Sequence, residues 1–224
     1  MLKLIIGNKA YSSWSMRGWL AVRQSGLPFE EMVVPLYDDA WVETREGDAF
    51  APSSGKVPIL WDGDAVVWES IAIIDWLADK AGREKFWPED EGARAMARSI
   101  AAEMHAGFSD LRRECPTNFR QRYMPRPLTP ETVRDINRIL TLWAQARARY
   151  GGTGPFLFGQ FGAADIMYAP VVGRFSTYSI PVPPFAQAYM DAVLSHPFMQ
   201  DWLAAAQEEE WVIEKFELPA PAAG

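Results

Sequence analysis

The first 34 residues limit most strongly what this chain can fold into. An apolar run, "LKLII" (2–6), a helical stretch, and a second strand-like run at Val33 and Val34 follow one another with short gaps. Two strands separated by one helix require a crossover connection, and such a crossover favours parallel pairing. Within the helical stretch Met16, Trp19, Leu20 and Arg23 recur at the spacing of one helix face, and Gly26 is placed to end it. Further on, "KVPILWDGDAVVW" holds two β-rich runs joined by Asp62 and Gly63, residues that tolerate the positive φ of a tight hairpin turn. In "ESIAIIDWLADKAG", Ser70 can cap a helix whose Ile71, Ile74, Leu77 and Ala78 share a face, and Gly82 can stop it. The predicted order is strand, helix, strand, a helix near Trp41 to Gly47, a hairpin, and a helix.

After "FWPEDEG" the pattern becomes helical throughout. Ala93, Met96, Ala97, Ile100, Met104, Phe108 and Leu111 form one apolar stripe across 90–114, which predicts a single long helix. Thr129, Pro130 and Glu131 open another, which runs through Ile136, Leu140 and Trp143 to Gly151 and Gly152. Two or three more helical stretches follow, interrupted by "PVPP" and "HPF". The chain therefore divides into an α/β part at 1–80, a link at 81–88 and an all-α part at 89–224, with a cleft between the two parts as the natural ligand site. The tail "ELPAPAAG" is expected to be disordered.

Composition removes several function classes. With 224 residues, 49 % hydrophobic and 23 % charged, the chain can bury a core. Its formal charge of -7 opposes attraction to nucleic acid or to an anionic membrane surface. No apolar run reaches the roughly 18 residues of a membrane span, and "MLKLIIGNKA" lacks a secretory core, so a cytoplasmic location is expected. Cys115 is the single cysteine, which rules out an intrachain disulfide, and His105 and His196 are too far apart in sequence for a local metal motif. No metal is expected. Most of the ten tryptophans are expected to fill the core or an interface.

Three segments carry chemistry. "YSSWSMRGWL" puts Ser12, Ser13 and Ser15 at a helix N-terminus, where unpaired N–H groups favour an anion. The residues allow two roles, caps of the helix or a hydrogen-bond donor to a thiolate that a partner molecule supplies. No neighbouring histidine or lysine motif activates a serine nucleophile there. At Val57-Pro58 a cis peptide would turn the Val57 backbone toward a peptide-like ligand, whereas a trans bond would leave an ordinary edge proline. Glu69 and Ser70, at a strand end and a helix start, can receive an ammonium and a carboxylate, the two ends of an α-amino acid, or simply cap the helix.

Taken together and in order, "SSWSMRGWLAVRQSGLPFE", "KVPIL" and "ESIAIIDWLAD" resemble the catalytic loop, cis-proline step and glutamate-serine motif of the glutathione transferase family. The resemblance covers nearly the whole chain and is to a serine-type, bacterial-like branch. It implies a thioredoxin-like N-terminal domain and an all-helical C-terminal domain, glutathione as cosubstrate, a homodimer, and a role in detoxification. By resemblance, Ser12 contacts the glutathione sulfur, with Ser13 and then Tyr11 as second and third choices. Val57 pairs with the cysteinyl part, Glu69 and Ser70 hold the γ-glutamyl end, and Lys56 meets a carboxylate of the tripeptide.

The implied activity is attack of the activated thiolate on an electrophilic, in part acidic, small molecule. Glutathione-dependent isomerisation of the maleylacetoacetate type, peroxide reduction, and non-catalytic ligand binding are the alternatives. Lowering a thiol pKa from about 8.5 by about 2 units takes roughly 2.7 kcal/mol. A helix dipole supplies about 0.3–1 kcal/mol and a hydrogen bond to the charged sulfur about 1.5–3 kcal/mol, a sum of the right size. The electrophile is expected against the helical domain, near His105, Phe108 and Arg112 on one face of the long helix, beside the basic run Arg112, Arg113, Arg120, Arg122 and Arg126. One departure from the family pattern stands out: in "GAAD", Gly162 replaces the capping hydroxyl of the core helix and leaves Asp165 alone.

Overall fold

The computed structural model describes residues 1–51, 53–152 and 154–218. Its first part is a four-stranded sheet built from β1 (Leu2–Gly7), β2 (Phe29–Val34), β3 (Ile59–Asp62) and β4 (Ala65–Trp68), in the order β2-β1-β3-β4. Helix α1 (Ser13–Ser25) is the crossover that makes β1 and β2 parallel, with Leu2 beside Phe29 and Gly7 beside Val34. β3 and β4 form an antiparallel hairpin, and β3 runs antiparallel to β1 with Ile59 beside Ile5. The tight turn is Gly63-Asp64, one residue later than the expected Asp62-Gly63, because Asp62 still pairs with Ala65 and Gly63 takes the positive φ of 63°. Helices α2 (Trp41–Glu46) and α3 (Ser70–Ala81) complete this part.

Alternation along β1 divides the core. Leu2, Leu4 and Ile6 join the main cluster with α1 and α3, whereas Ile5 points to the other face and packs with Val34, Phe50 and Ile59. Helix α1 ends as the glycine rule requires, with Gly26 at φ 73° and its N–H donating to the Arg23 carbonyl. Helix α3 differs from expectation. Ser70 is its first helical residue rather than its cap, and Glu69 holds the cap position at φ 68° and ψ 122°, a positive-φ conformation outside the common allowed regions, between β4 and the helix.

The second part is helical: α4 (Glu91–Ala106), α5 (Ser109–Glu114), α6 (Pro130–Tyr150), α7 (Ala163–Thr177), α8 (Pro184–Leu194) and α9 (Pro197–Glu208). The long helix predicted over 90–114 is broken. Gly107 is extended and Phe108 left-handed at φ 62°, so α4 and α5 are separate elements even though the apolar stripe continues across the break. Almost every residue of α7 is buried, and Trp143 of α6 packs on its Tyr168 and Phe175.

The missing hydroxyl at the start of α7 has a local cause. A Cβ at Gly162 would lie 2.8 Å from the Phe86 carbonyl oxygen, and that same oxygen accepts the Ala163 N–H at 2.8 Å. Asp165 supplies the other half of the cap, its Oδ2 accepting the Gly162 N–H at 3.0 Å. Burial raises the Asp165 carboxyl to about 6.

The main core cluster contains residues of both parts. Arg17, in the middle of α1 and fully buried, crosses between them by donating from Nε to the Met167 carbonyl of α7 at 2.9 Å. Of the tryptophans, Trp19, Trp87, Trp143 and Trp202 are buried, while Trp68 and Trp211 are exposed. Of the tail, Glu217 and Leu218 are placed, Glu217 accepting a hydrogen bond from Asn118 Nδ2 at 2.9 Å. Residues 219–224, where disorder is expected, lie outside the described residues.

Candidate functional site

Two adjoining cavities share Trp14, Lys56 and Val57 as their common wall. The first, of about 300 Å³, is also lined by Pro58, Trp68, Glu69, Ser70 and His105. The second, of about 420 Å³, is reached by Ser12, Ser13, Arg112, Thr117, Arg174 and Phe216. A third cavity of about 300 Å³, between the link and the start of α7 at Phe86, Trp87 and Phe161, is lined by the "GAAD" residues but by none of the serine-loop, Val57-Pro58 or Glu69-Ser70 residues.

The serine loop is built by an interlocked set of hydrogen bonds. Ser12 is the N-cap of α1: its Oγ accepts the Ser15 N–H at 3.2 Å, and its hydroxyl donates to Ser15 Oγ at 2.8 Å. Ser15 Oγ in turn accepts the Gly7 N–H at 2.9 Å, tying the helix start to the end of β1. Ser13 begins the helix, and its Oγ accepts from Arg174 Nη2 at 3.3 Å. All three serines are buried, and Ser12 and Ser13 reach the second cavity. Tyr11 also lines that cavity, but its hydroxyl donates to Glu217 and accepts from Arg120 Nη2. Burial and the Glu217 carboxylate raise its pKa, so Tyr11 keeps its proton, and that proton is already committed to Glu217 rather than to a sulfur.

Val57-Pro58 is cis, and Pro58 packs directly on α1 at Gly18, where a Cβ would lie 2.7 Å from Pro58 Cβ. The absent side chain at 18 lets the Val57 turn sit against the helix start, between the two cavities. Glu69 is exposed at the mouth of the first cavity, and Ser70, 1 % exposed, lies below it. The helical part contributes to this cavity too. His105, at the end of α4, places Nε2 3.4 Å from Glu69 Oε2 and its ring edge-on to Trp14 at 5.3 Å. Desolvation lowers the His105 pKa more than Glu69 raises it, with Arg17 and Arg112 pushing the same way as burial.

The break between α4 and α5 therefore separates the three residues expected on one helix face. His105 faces the first cavity beside Glu69, Arg112 faces the second, and Phe108, 7 % exposed, belongs to the core cluster and lines neither. The basic run divides as well. Arg120 is engaged by Tyr11 and the Glu209 and Trp211 carbonyls, Arg126 by the Glu114 carbonyl, and Arg113 by Asp110. Of that run only Arg112 lines the second cavity.

Two residues that sequence reasoning missed complete the arrangement. Trp14 separates the cavities and carries the guanidinium groups of Arg17 and Arg112, each 4.6 Å from its ring centroid. Arg174 comes from the buried face of α7; its Nε donates to the Cys115 carbonyl at 2.9 Å and its Nη2 to Ser13. An arginine inside the otherwise apolar stretch "MYAPVVGRF" was the available signal. Among the described residues no group of three or more histidine, cysteine or carboxylate side chains could hold a metal ion, and no helix is long and apolar enough to cross a membrane.

The arrangement has clear relatives. The family model for the N-terminal domain of glutathione S-transferases matches residues 11–80, and the model for their C-terminal domain matches 126–205. Human glutathione S-transferase theta-1 is 30 % identical over 123 residues, 51 % of this chain and 48 % of that protein. Dichloromethane dehalogenase of Methylorubrum extorquens is 43 % identical over 54 residues, 24 % of this chain and 18 % of that protein. The chain thus spans about half the length, or less, of these curated relatives.

Among solved structures, a glutathione transferase homolog from Burkholderia gl BGR1 with bound glutathione superposes with a TM-score of 0.70 at 20 % identity, covering 93 % of this chain and 99 % of that one. The zeta-class bacterial maleyl pyruvate isomerase superposes at 0.68 with 22 % identity, covering 92 % and 99 %. These likenesses establish the fold: a thioredoxin-like sheet domain followed by a helical domain. With both domain models matched in order and the serine loop, cis-proline turn and glutamate-serine step gathered around two joined cavities, the chain belongs to the glutathione S-transferase family.

Proposed function

We propose that this protein is a glutathione transferase that binds glutathione in the first cavity and presents its sulfur, as a thiolate, to an electrophile in the second. The observation that carries this reading is the position of Val57 and Trp14 on the wall shared by the two cavities, with Ser12 and Ser13 just beyond it. In this reading residues 1–80 bind glutathione, 81–88 link, and 89–224 form the helical domain. Glu69 takes the γ-glutamyl ammonium, Ser70 its carboxylate, Val57 the cysteinyl backbone, and Lys56 the remaining carboxylate.

Ser12 is assigned to the sulfur. Its hydroxyl now donates to Ser15 Oγ, which still accepts the Gly7 N–H if that hydroxyl turns away. Exchanging a neutral hydrogen bond for one to a thiolate favours the turn, since charge-assisted bonds are about twice as strong. Ser13 is the second donor, its O–H polarised by the guanidinium it accepts from. The thiol loses its proton to solvent, and its sulfur lone pair forms the new carbon–sulfur bond. In substitution the leaving group departs with its bonding pair, and in addition the alkene pair moves onto carbon and is protonated.

Calorimetry with glutathione, followed by turnover against an aryl halide, a maleyl-type cis alkene and an organic peroxide, tests the proposal. Uptake together with turnover of any of these supports it and identifies the subtype. Uptake with no turnover leaves a ligand-binding protein of the same fold, and no uptake at millimolar glutathione contradicts the reading. An electrophile as partner, a homodimer, a cytoplasmic location and a role in detoxification belong to the same proposal, supported by family membership. Light scattering of the purified chain tests the dimer.

A further inference from the structure

The second cavity is backed by three guanidinium groups that form no salt bridge with any carboxylate among the described residues. Arg17, Arg112 and Arg174 come from α1, α5 and α7, and among the described residues none of them is in an ion pair. Their hydrogen bonds go to neutral acceptors. Arg17 donates to the Met167 and Ser13 carbonyls, Arg112 to those of Gly107 and Met104, and Arg174 to the Cys115 carbonyl and Ser13 Oγ. The acid that bears on Arg112 is Asp135, and its Oδ2 accepts the Leu111 N–H at 3.0 Å.

Among the described residues each of the three retains one buried nitrogen without a partner: Arg17 Nη2, Arg112 Nη1 and Arg174 Nη1. Thr117 Oγ1, on the wall of the same cavity, has none either. Arg174 is 5 % exposed and Arg17 fully buried. Burial, and for Arg17 and Arg174 the repulsion of neighbouring guanidiniums, lowers their pKa values, Arg174 to about 9 and Arg112 to about 10. Both remain protonated at neutral pH. Burying uncompensated charge costs several kcal/mol per ion in general, and a site that bears that cost is prepared for a counter-ion.

We propose that Arg112 and Arg174, with the Ser13 and Thr117 hydroxyls, form a carboxylate subsite for the second substrate, so that the favoured electrophiles are small carboxylic acids. Arg17 lies behind this pair and supports it through Trp14. Glutathione also carries carboxylates, but Glu69 and Ser70, which would bind its γ-glutamyl end, line the other cavity alone, and Val57 and Lys56, which would hold its backbone and remaining carboxylate, stand on the shared wall beside Trp14. A planar guanidinium pairs with a carboxylate in fixed geometry, so the subsite would also orient the electrophilic carbon toward the sulfur. The inference rests on the glutathione reading for its kinetic test and is independent of it for its binding test.

The kinetic probe is para-chloro-meta-nitrobenzoate against its carboxamide. In both, the thiolate attacks the chlorine-bearing carbon, the carbon–sulfur bond forms, chloride leaves with its bonding pair, and the thiol proton goes to solvent. The wild type should prefer the acid by roughly tenfold or more in kcat/KM, as expected when one charged hydrogen-bonded partner is lost. Arg112→Gln and Arg174→Gln should each bring the acid-to-amide ratio toward one. A purely structural role would lower both substrates together and leave the ratio where it was, which overturns the proposal. Weaker glutathione binding with an unchanged ratio would assign the arginines to glutathione and overturns it equally.

The binding probe is para-nitrobenzoate, which has no leaving group, titrated calorimetrically into the wild type and Arg112→Gln at saturating glutathione. Arg112 donates only to two carbonyls, so this variant also serves if Arg174→Gln fails to fold. Binding to the wild type that is lost in Arg112→Gln supports the subsite. No binding to the wild type, or equal binding to both, contradicts it. Absence of turnover with both probes, accompanied by this binding, still supports the anion subsite; the transferase reading is then contradicted only if the cis alkene and the peroxide also fail to turn over.

Discussion

The two cavities on either side of Trp14 present charge in opposite ways. In the first, Glu69 and His105 face each other 3.4 Å apart and Glu69 stays exposed at the mouth. In the second, Arg174 is buried and Arg112 half-buried, neither is in an ion pair among the described residues, and Ser12 and Ser13 line the same cavity. In the proposed reading one side is a socket for a zwitterionic amino acid and the other a basin of positive potential. A sulfur placed between them feels the dipole of α1, the serine hydroxyls and the guanidinium field together, all of which favour its anionic form.

The sharpest way to break this contrast is Ser12→Ala. It removes the proposed donor to the sulfur and the cap of α1, and activity should fall by about 1.5–3 kcal/mol in activation free energy. Glutathione affinity should change far less, because the first cavity is untouched. If Ser13→Ala gives the loss and Ser12→Ala does not, the two serines exchange roles.

Gly18→Ala acts on the wall instead. Its Cβ would meet Pro58 at 2.7 Å, and the overpacking should cost about 1–3 kcal/mol of stability and loosen glutathione binding, measurable by denaturant titration and calorimetry. Glu69→Gln keeps the shape of the socket and removes its charge. Glutathione should bind about 1 kcal/mol more weakly, while the acid-to-amide preference of the second cavity is retained.

The histidines give a smaller and oppositely directed test. Burial holds both His105 and His196 below the ordinary 6.5. The folded state therefore binds fewer protons than the unfolded chain, and the histidines' effect is to lower stability as pH falls from 6.5 toward their folded values. Two imidazole resonances titrating below 6.5 by NMR would confirm this. The smallest effect is expected at Cys115, fully buried, with its thiol pushed up to about 11 by desolvation. Cys115→Ala should leave turnover close to wild type, since Arg174 uses the backbone carbonyl there and not the sulfur.

Most of the fold was legible because its signals are local. The crossover helix, the hairpin at Gly63 and the stop at Gly26 each follow from periodicity and a glycine at positive φ. The break at Gly107 and Phe108 was not legible, since the apolar spacing runs through it unbroken and a left-handed phenylalanine has no sequence signature beyond the glycine before it.

The candidate site divides along the same line. Ser12, Val57, Glu69 and Ser70 sit in short motifs and could be named from them. Arg174 and Trp14 become meaningful only when α1, α5 and α7 converge. The dense basic run drew attention to Arg120, Arg122 and Arg126, yet Arg120 and Arg126 are engaged by carbonyls and Tyr11, and Arg122 is exposed. Isolated arginines in apolar helices were the more informative pattern.

The central claim, that this chain holds a partner molecule's sulfur as an anion, is tested most directly by titrating the thiol of glutathione bound to the wild-type protein and following thiolate absorbance against pH. The account predicts a midpoint lowered by about 2 units from the 8.5 of the free thiol, and a return toward that value in Ser12→Ala. A bound thiol that titrates like free glutathione in the wild type would contradict it.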